Sequence, residues 1–353
     1  MNLRWQILSG NILRYFHGEY ISMNLDQFRS YFDEKFLAFL DTKVDIFLKD
    51  STSTEISIIG AYIKKIAQGG KRFRPYLTYL CINTDEPDVH LQLFFSIELL
   101  HIFALVHDDV MDEGVMRHGV ECAHIFFGKK YHNERVGKGV AILLGDLMYA
   151  WSHESLCAYT DLHPQKKDQV VAIFAELVRE VIHGQMLDVI FPEQNNSNKD
   201  LIMQKMYLKT ARYSFIQPMR IGFTVADAPT EKFFFAQEYG RALGLAFQLQ
   251  DDLIDLMGGN EKSTFLDIET KQHTLLHWFM QHKADSAFLK RWELYFGKKL
   301  TEDDKKEVVN ICEQSGAFAY VKQAIDEYYK EATSLTSEAV WQELVSTILK
   351  YRK

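Results

Sequence analysis

Proline is scarce in this chain, at 6 of 353 residues. Proline lacks a backbone donor and breaks helix interiors, so its near absence permits long uninterrupted helices. Cysteine is also sparse. Cys81, Cys122, Cys157 and Cys312 lie far apart with no CxxC pair, which argues against a disulfide framework or a structural zinc and predicts reduced thiols in a cytoplasmic protein. There is no basic excess: 40 Lys and Arg against 48 Asp and Glu leave a net charge of −8, which argues against nucleic acid as the main partner. Continuous apolar runs fall short of the roughly 18 residues needed to cross a bilayer. The closest, Val140 to Trp151, is interrupted by Asp146, so no transmembrane segment is expected. Residues 1–25 carry Arg4 and Arg14 but lack the apolar block of a secretory signal. They read as an N-terminal extension, an extra helix, ahead of one domain spanning 26–353.

What is present is helical. Apolar residues recur with helical spacing over most of the chain, and strand-like alternation is short and rare. The segment Asp50 to Glu55 reads as a loop and helix cap, and Asn83 to Asp88 as a turn. A helix is expected from about Val89 to Met111, and loops at Pro192 to Lys199 and at Gly258-Gly259-Asn260. No linker divides the chain. The expectation is an all-α, single-domain bundle of long helices.

Two copies of Asp-Asp-x-x-Asp carry the chemistry: Asp108, Asp109 and Asp112, and then Asp251, Asp252 and Asp255. The first and last Asp of each copy share a helix face. Both copies follow greasy stretches, Leu99 to Val106 and Ala242 to Leu249, so they are poorly explained as solubilising charge. Two facing sets of carboxylates repel unless a cation sits between them. Mg²⁺ suits all-oxygen ligands and completes its shell with water and substrate phosphate. A second constellation, Gly69-Gly70-Lys71-Arg72-Phe73-Arg74-Pro75, pairs glycines that permit close approach to an anion with the point charge of Lys71 and the planar fork of Arg74. One metal-rich and one metal-free basic site suggest two diphosphate pockets.

With these pieces in view, the chain from about Ile58 onward resembles the trans-isoprenyl (polyprenyl) diphosphate synthase family, most closely its geranylgeranyl diphosphate synthases. The matching segments run in family order. They are Gly69-Gly70-Lys71-Arg72 with Arg74-Pro75, Glu98-Leu99-Leu100-His101, His107-Asp108-Asp109 with Asp112 and Arg117, and Leu144-Gly145-Asp146. Gly184-Gln185 with Asp188, Lys209-Thr210-Ala211, and Phe247 to Asp252 with Asp255 follow. The resemblance implies a helical bundle around a deep cavity (the isoprenoid synthase fold), a homodimer, and Mg²⁺-dependent head-to-tail condensation of isopentenyl diphosphate with an allylic diphosphate. It implies that Asp108, Asp112 and Asp251 hold the metal, with Asp109, Asp252 and Asp255 in support. Arg117, Lys209 and Lys262 would contact the allylic diphosphate, and Lys71, Arg74, His101 and His118 isopentenyl diphosphate. Thr210 and Gln248 would face the cation formed when the allylic diphosphate leaves.

The chain departs from the family in two places. Arg117-His118 stands where paired arginines are usual. Because imidazole is ordinarily cationic only near or below pH of about 6.5, isopentenyl diphosphate is expected to bind more tightly as pH falls. The loop after the second motif is short, leaving Lys262 five residues before Asp267 and Lys271 four after it. Phe103 and Ala104 lie about one turn deeper than Asp108 and are expected to set product length. In this family an aromatic there stops growth. That pattern favours geranylgeranyl diphosphate, with farnesyl or longer-chain polyprenyl diphosphate as the alternative. A class I terpene cyclase would lack the basic segment and the second Asp-Asp-x-x-Asp. A non-catalytic synthase subunit would often have lost one of the two motifs.

Overall fold

The computed structural model describes residues 23–49, 51–194, 197–257 and 264–350. Most of the expected extension, residues 1–22, lies outside these residues, and Leu25 already opens the first helix. Helix α1 (Leu25–Lys49) repeats Phe28, Phe32, Phe36 and Leu40 every fourth position, which places them in one stripe that is fully buried. The domain core therefore begins well upstream of Ile58. Helix α2 (Thr54–Ile66) starts at Ser53, whose hydroxyl accepts from the Glu55 amide, as the cap-like composition there predicts. Helix α3 (Phe73–Ile82) follows the glycine pair.

Helix α4 (Leu91–Met111) enters through a single 3₁₀ turn at Pro87–His90 and is the centre of the bundle. It corrects one sequence expectation. The segment Pro87–Met111 reaches a mean hydropathy of 1.8 over an 18-residue window and is long and apolar enough, on those grounds, to cross a membrane. Ser96, Glu98 and His101 interrupt the run, so a count of consecutive apolar residues passes over it. In the fold, 61% of that window is buried inside the protein, and Phe94 and Phe95 pack against the Phe28, Phe32 and Phe36 stripe of α1.

The charge in the middle of this helix has its own partner. Glu98, 1% exposed, accepts from Arg72 Nη1 at 2.6 Å. Arg72 also donates to Asp33 on α1 at 2.7 Å and to the Ala67 carbonyl at 2.5 Å. It sits at φ 55°, in the left-handed region, as the residue that opens α3. Burial alone would lower its pKa, but Glu98 and Asp33 outweigh that and raise it, so the guanidinium stays charged.

Beyond α4, a two-stranded hairpin pairs β1 (Met116–Arg117) with β2 (Val120–Glu121). Its two-residue turn, His118-Gly119, takes positive φ at both positions (50° and 75°), the backbone that right-twisted hairpins need. Histidine is among the side chains that tolerate that region best, which gives a local reason for His at this position. Helices α5 (Ala123–Tyr131), α6 (Glu134–Ala158) and α7 (Pro164–Ile190) follow, with α4 packed on α6.

Helix α8 (Lys199–Met206) runs into a π-helical stretch, Tyr207–Ile216, and on into α9 (Gln217–Val225). Two glycines let neighbours close on that stretch. A Cβ on Gly184 of α7 would come within 2.6 Å of the Lys209 backbone nitrogen. One on Gly244, in helix α10 (Thr230–Met257), would come within 2.4 Å of the Ala211 Cα. The remaining helices are α11 (Leu266–Glu269), α12 (Leu275–His282), α13 (Ser286–Glu293), α14 (Glu302–Gln314), α15 (Ala317–Ser334) and α16 (Ala339–Lys350), and α15 packs along α10. Of the sequence-stretch expectations, Gly258 to Asn260 and Lys262 lie outside the described residues. The four cysteines are unpaired thiols, three of them buried.

Candidate active site

One face of α4 carries both halves of the site. His101 and Asp108 are seven residues apart, two helical turns and about 10 Å along the axis. Asp112 follows immediately after the helix, its amide still bonded to the Asp108 carbonyl at 2.8 Å.

The acidic half gathers Asp108, Asp112 and Asp188 of α7, whose carboxylate oxygens come within 4.8 Å of one another. Asp188 belongs to the Gly184-Gln185 motif but was not expected in the metal cluster. Lys209 Nζ lies 2.9 Å from Asp108 Oδ1 and also bonds Asp188 Oδ2. Arg117, held out by the hairpin, donates from Nε to Asp109 at 2.7 Å and approaches Asp108 at 3.4 Å. Asp109 is buried and turned toward Arg117, so it orients that guanidinium and does not join the carboxylate triad.

The second motif faces this cluster from α10. Asp252 accepts from Gln248 at 2.8 Å, and Gln248 in turn accepts from the Thr210 hydroxyl of the π stretch. Asp255 accepts the Leu266 and Asp267 amides, each at 3.2 Å, and so holds the start of α11. Asp267 feels the charges of Asp252, Asp188 and Asp112 together, so carboxylates of both motifs act on it. Asp251 is half-buried on the same helix.

The charge pattern fits a divalent cation. Burial, and then Asp108, push the Asp112 carboxyl up to about 8 against the pull of Lys209. Asp252 rises to about 6 and Asp267 to about 8, both chiefly by burial. Carboxyl pKa values raised by burial and mutual repulsion, on a donor set made only of oxygen, suit a divalent cation such as Mg²⁺ as the counter-charge. A carboxyl whose folded pKa lies above its ordinary value of about 3.9 stabilises the fold at low pH, and that contribution is lost as pH rises toward the folded value. In chelator, the melting temperature is therefore expected to fall as pH goes from about 6 to about 8.5, and added Mg²⁺ to raise it most at the alkaline end. Thermal melts at both pH values check this; an equal Mg²⁺ response at the two would remove Asp112 from the metal site.

The basic half surrounds His101. The Gly69-Gly70 turn, with φ 80° at Gly69, lies against the hairpin turn, since a Cβ on Gly69 would stand 3.8 Å from His118 Cβ. Arg74 stacks over Tyr213 at 4.4 Å and donates to Ser214 at 2.7 Å. Its buried Nε has no hydrogen-bond partner among the described residues. His101 Nδ1 lies 3.1 Å from the Tyr213 hydroxyl. Burial, then Arg74 and His118, pull the His101 pKa well below its usual value, so it is neutral in the open site. Any change in charge with pH in this half must come from elsewhere than His101. Lys71, three residues before Arg74, is half-buried. Tyr213 and Ser214 were missed in the sequence, where only their place after the Lys209-Thr210-Ala211 motif marks them.

The fold also places Lys271 and Phe103. Lys271 takes φ 60° and runs its exposed chain over Gly297, while its neighbour Gln272 is the buried side chain that enters the site. Phe103 packs its ring against His107 (4.7 Å) and against Tyr149 of α6 (5.2 Å), leaning toward the neighbouring helix and not straight down the Asp108 face. His107 in turn reaches the Ile142 carbonyl at 2.9 Å across Gly145, where any Cβ would strike its ring at 2.2 Å. That contact explains why Leu144-Gly145-Asp146 accompanies His107 in the motif set.

Known proteins resemble this chain in sequence and in fold. The short chain isoprenyl diphosphate synthase of Methanocaldococcus jannaschii is 29% identical over 283 residues, covering 78% of this chain and 83% of its own. The octaprenyl diphosphate synthase of Escherichia coli is 28% identical over 300 residues, covering 82% and 86%. Among solved structures, the geranylgeranyl pyrophosphate synthase of Corynebacterium glutamicum, complexed with isoprenyl diphosphate and magnesium, superposes with a TM-score of 0.84 over 94% of this chain and 99% of its own. At 22% identity that match shows the shared all-α fold. Residues 56–312 match the polyprenyl synthetase family, and the chain belongs to it as a prenyltransferase.

Proposed function

We propose that this enzyme condenses isopentenyl diphosphate with an allylic diphosphate, in the presence of Mg²⁺, to make geranylgeranyl diphosphate. One observation carries the two-substrate reading. An acidic, lysine-edged pocket and a basic, carboxylate-poor pocket lie two turns apart on one face of α4. Mg²⁺ on Asp108, Asp112 and Asp251 would neutralise charge growing on the departing diphosphate. Lys209 and Arg117 donate to the same oxygens, so the allylic C–O bond ionises with its leaving group held by fixed cations. Lys71, Arg74, His101 and His118 hold isopentenyl diphosphate so that its double bond meets the cation as an intramolecular partner would. The Thr210 and Gln248 oxygens present dipoles to the positive carbon. The released diphosphate, still bound, accepts the proton lost in the last step.

The sequence pattern supports the product assignment: bulky Phe103 stands beside small Ala104, about one turn before Asp108. Incubating the protein with Mg²⁺, labelled isopentenyl diphosphate and dimethylallyl, geranyl or farnesyl diphosphate, then sizing the products, tests the whole reading. No product from any starter would sink it. Phe103→Ala is expected to shift the main product by one or more five-carbon units, and an unchanged product would clear Phe103 of that role.

His118 carries the expected pH response of isopentenyl diphosphate, because His101 is held neutral. The KM for isopentenyl diphosphate should rise between about pH 6.5 and about pH 8.5 in the native enzyme and stay flat in His118→Arg. Matching profiles in the two proteins would refute it. The homodimer expected from the family is supported by Val136, Ile142 and Leu143, apolar side chains of α6 left exposed. Light scattering that returned the mass of one chain would remove it.

A further inference from the structure

Lys205 lies in neither Asp motif and in no basic segment. It stands four residues before Lys209, near the end of α8, and is buried. Its Nζ donates to Asp188 Oδ1 at 2.6 Å and lies 3.5 Å from both the Gln272 side-chain oxygen and the His273 carbonyl. The other oxygen of Asp188 takes Lys209, which also reaches Asp108. Asp188 is thus claimed by two ammonium groups with different freedoms. Lys205 is enclosed between α7 and the turn joining α11 to α12. Lys209 is a quarter exposed at the cluster edge, where a diphosphate oxygen can replace a carboxylate as its partner.

We propose that Lys205 is a positioning residue: it keeps Asp188 paired when Lys209 turns to the allylic diphosphate. The inference rests on the assignment of Lys209 to that diphosphate. With Lys205 in place, Asp188 loses one of two partners on substrate binding and remains neutralised. Without it, Lys209 is the sole cation on a buried carboxylate, and binding must leave that carboxylate unpaired, which is strongly unfavourable. Removing Lys205 takes a positive charge away from the acidic cluster, so Mg²⁺ binding should be unchanged or tighter while allylic diphosphate binding weakens. A general loosening of the pocket would weaken both.

The test compares Lys205→Met and Lys205→Arg with the native enzyme by calorimetry. The ligands are Mg²⁺ alone and, at saturating Mg²⁺, farnesyl thiolodiphosphate, an allylic analogue that does not ionise. Lys205→Met is expected to bind the analogue about 10-fold more weakly, the scale of one charge-assisted contact, with Mg²⁺ affinity not reduced. The KM for isopentenyl diphosphate should stay within about twofold of native, and Lys205→Arg should recover most of the analogue affinity. Native affinity for the analogue in Lys205→Met, or parallel loss of analogue, isopentenyl diphosphate and Mg²⁺, overturns the proposal. Should Lys205→Met fail to fold, Lys205→Gln, which removes the charge and keeps a donor, carries the same comparison. Lys209→Met separates the premise from the inference. If it binds the analogue normally, the assignment of Lys209 falls and takes the proposal with it; if it binds weakly while Lys205→Met does not, only the proposal for Lys205 falls.

Discussion

Asp108→Asn is expected to lower kcat by about three orders of magnitude while leaving the fold intact. The carboxylate is one of three whose oxygens converge within 4.8 Å, and it sits directly beside Lys209 and Arg117. Asparagine keeps the shape and one acceptor but removes the charge that a divalent cation needs, so the departing diphosphate loses its counter-charge when the allylic bond breaks. Because Asp108 also raises the pKa of Asp112, its neutralisation relieves repulsion in the metal-free protein. The variant should therefore melt at or above the native temperature in chelator, and its Mg²⁺-dependent stabilisation should shrink. Steady-state kinetics and paired melts with and without Mg²⁺ check both halves. A kcat within about tenfold of native would show that Asp108 is not needed to hold the metal.

Arg72→Met is expected to cost about 3–5 kcal/mol of stability, enough to unfold most of the population of an ordinary domain. The substitution strands Glu98 inside the most apolar of the described helices and releases Asp33 and the Ala67 carbonyl at the same stroke. Methionine fills much of the same volume, so the loss is electrostatic and not a cavity. The paired change Arg72→Met with Glu98→Met should recover most of the stability, because a buried ion pair replaced by apolar side chains of similar size is often neutral. Denaturant midpoints of the three proteins measure this. A single variant as stable as the native enzyme, or a double variant no better than the single, would contradict the account.

The arginine in this pair shows how sequence reading missed part of the structure. Lys71, Arg72 and Arg74 look alike as a basic run, and all three suit a phosphate. Only the left-handed backbone at position 72 turns the middle one inward, toward a glutamate 26 residues away, while Arg74 stacks on Tyr213. Lys271 and Gln272 repeat the lesson. The fold, not the sequence, shows Lys271 at positive φ running over Gly297 while its neutral neighbour Gln272 is buried beside Lys205. Asp188 was visible within its motif, yet its role depends on Lys205 and Lys209, which reach it from another helix.

Short-range patterns were enough for the all-helical class, the long central helix, the two acidic motifs and the separate basic segment. Each of these depends on spacing along one helix, on composition, or on residue types whose chemistry survives any packing. Which carboxylates converge depended on tertiary structure, because Asp108, Asp112 and Asp188 meet only when α4 and α7 pack around a π-helical stretch that two glycines allow to come close. The same holds for the partners of Arg72, the inward turn of Gln272, and the two lysines that share Asp188. Backbone sign and side-chain direction are set by contacts between segments far apart in the chain, and no local pattern carries them.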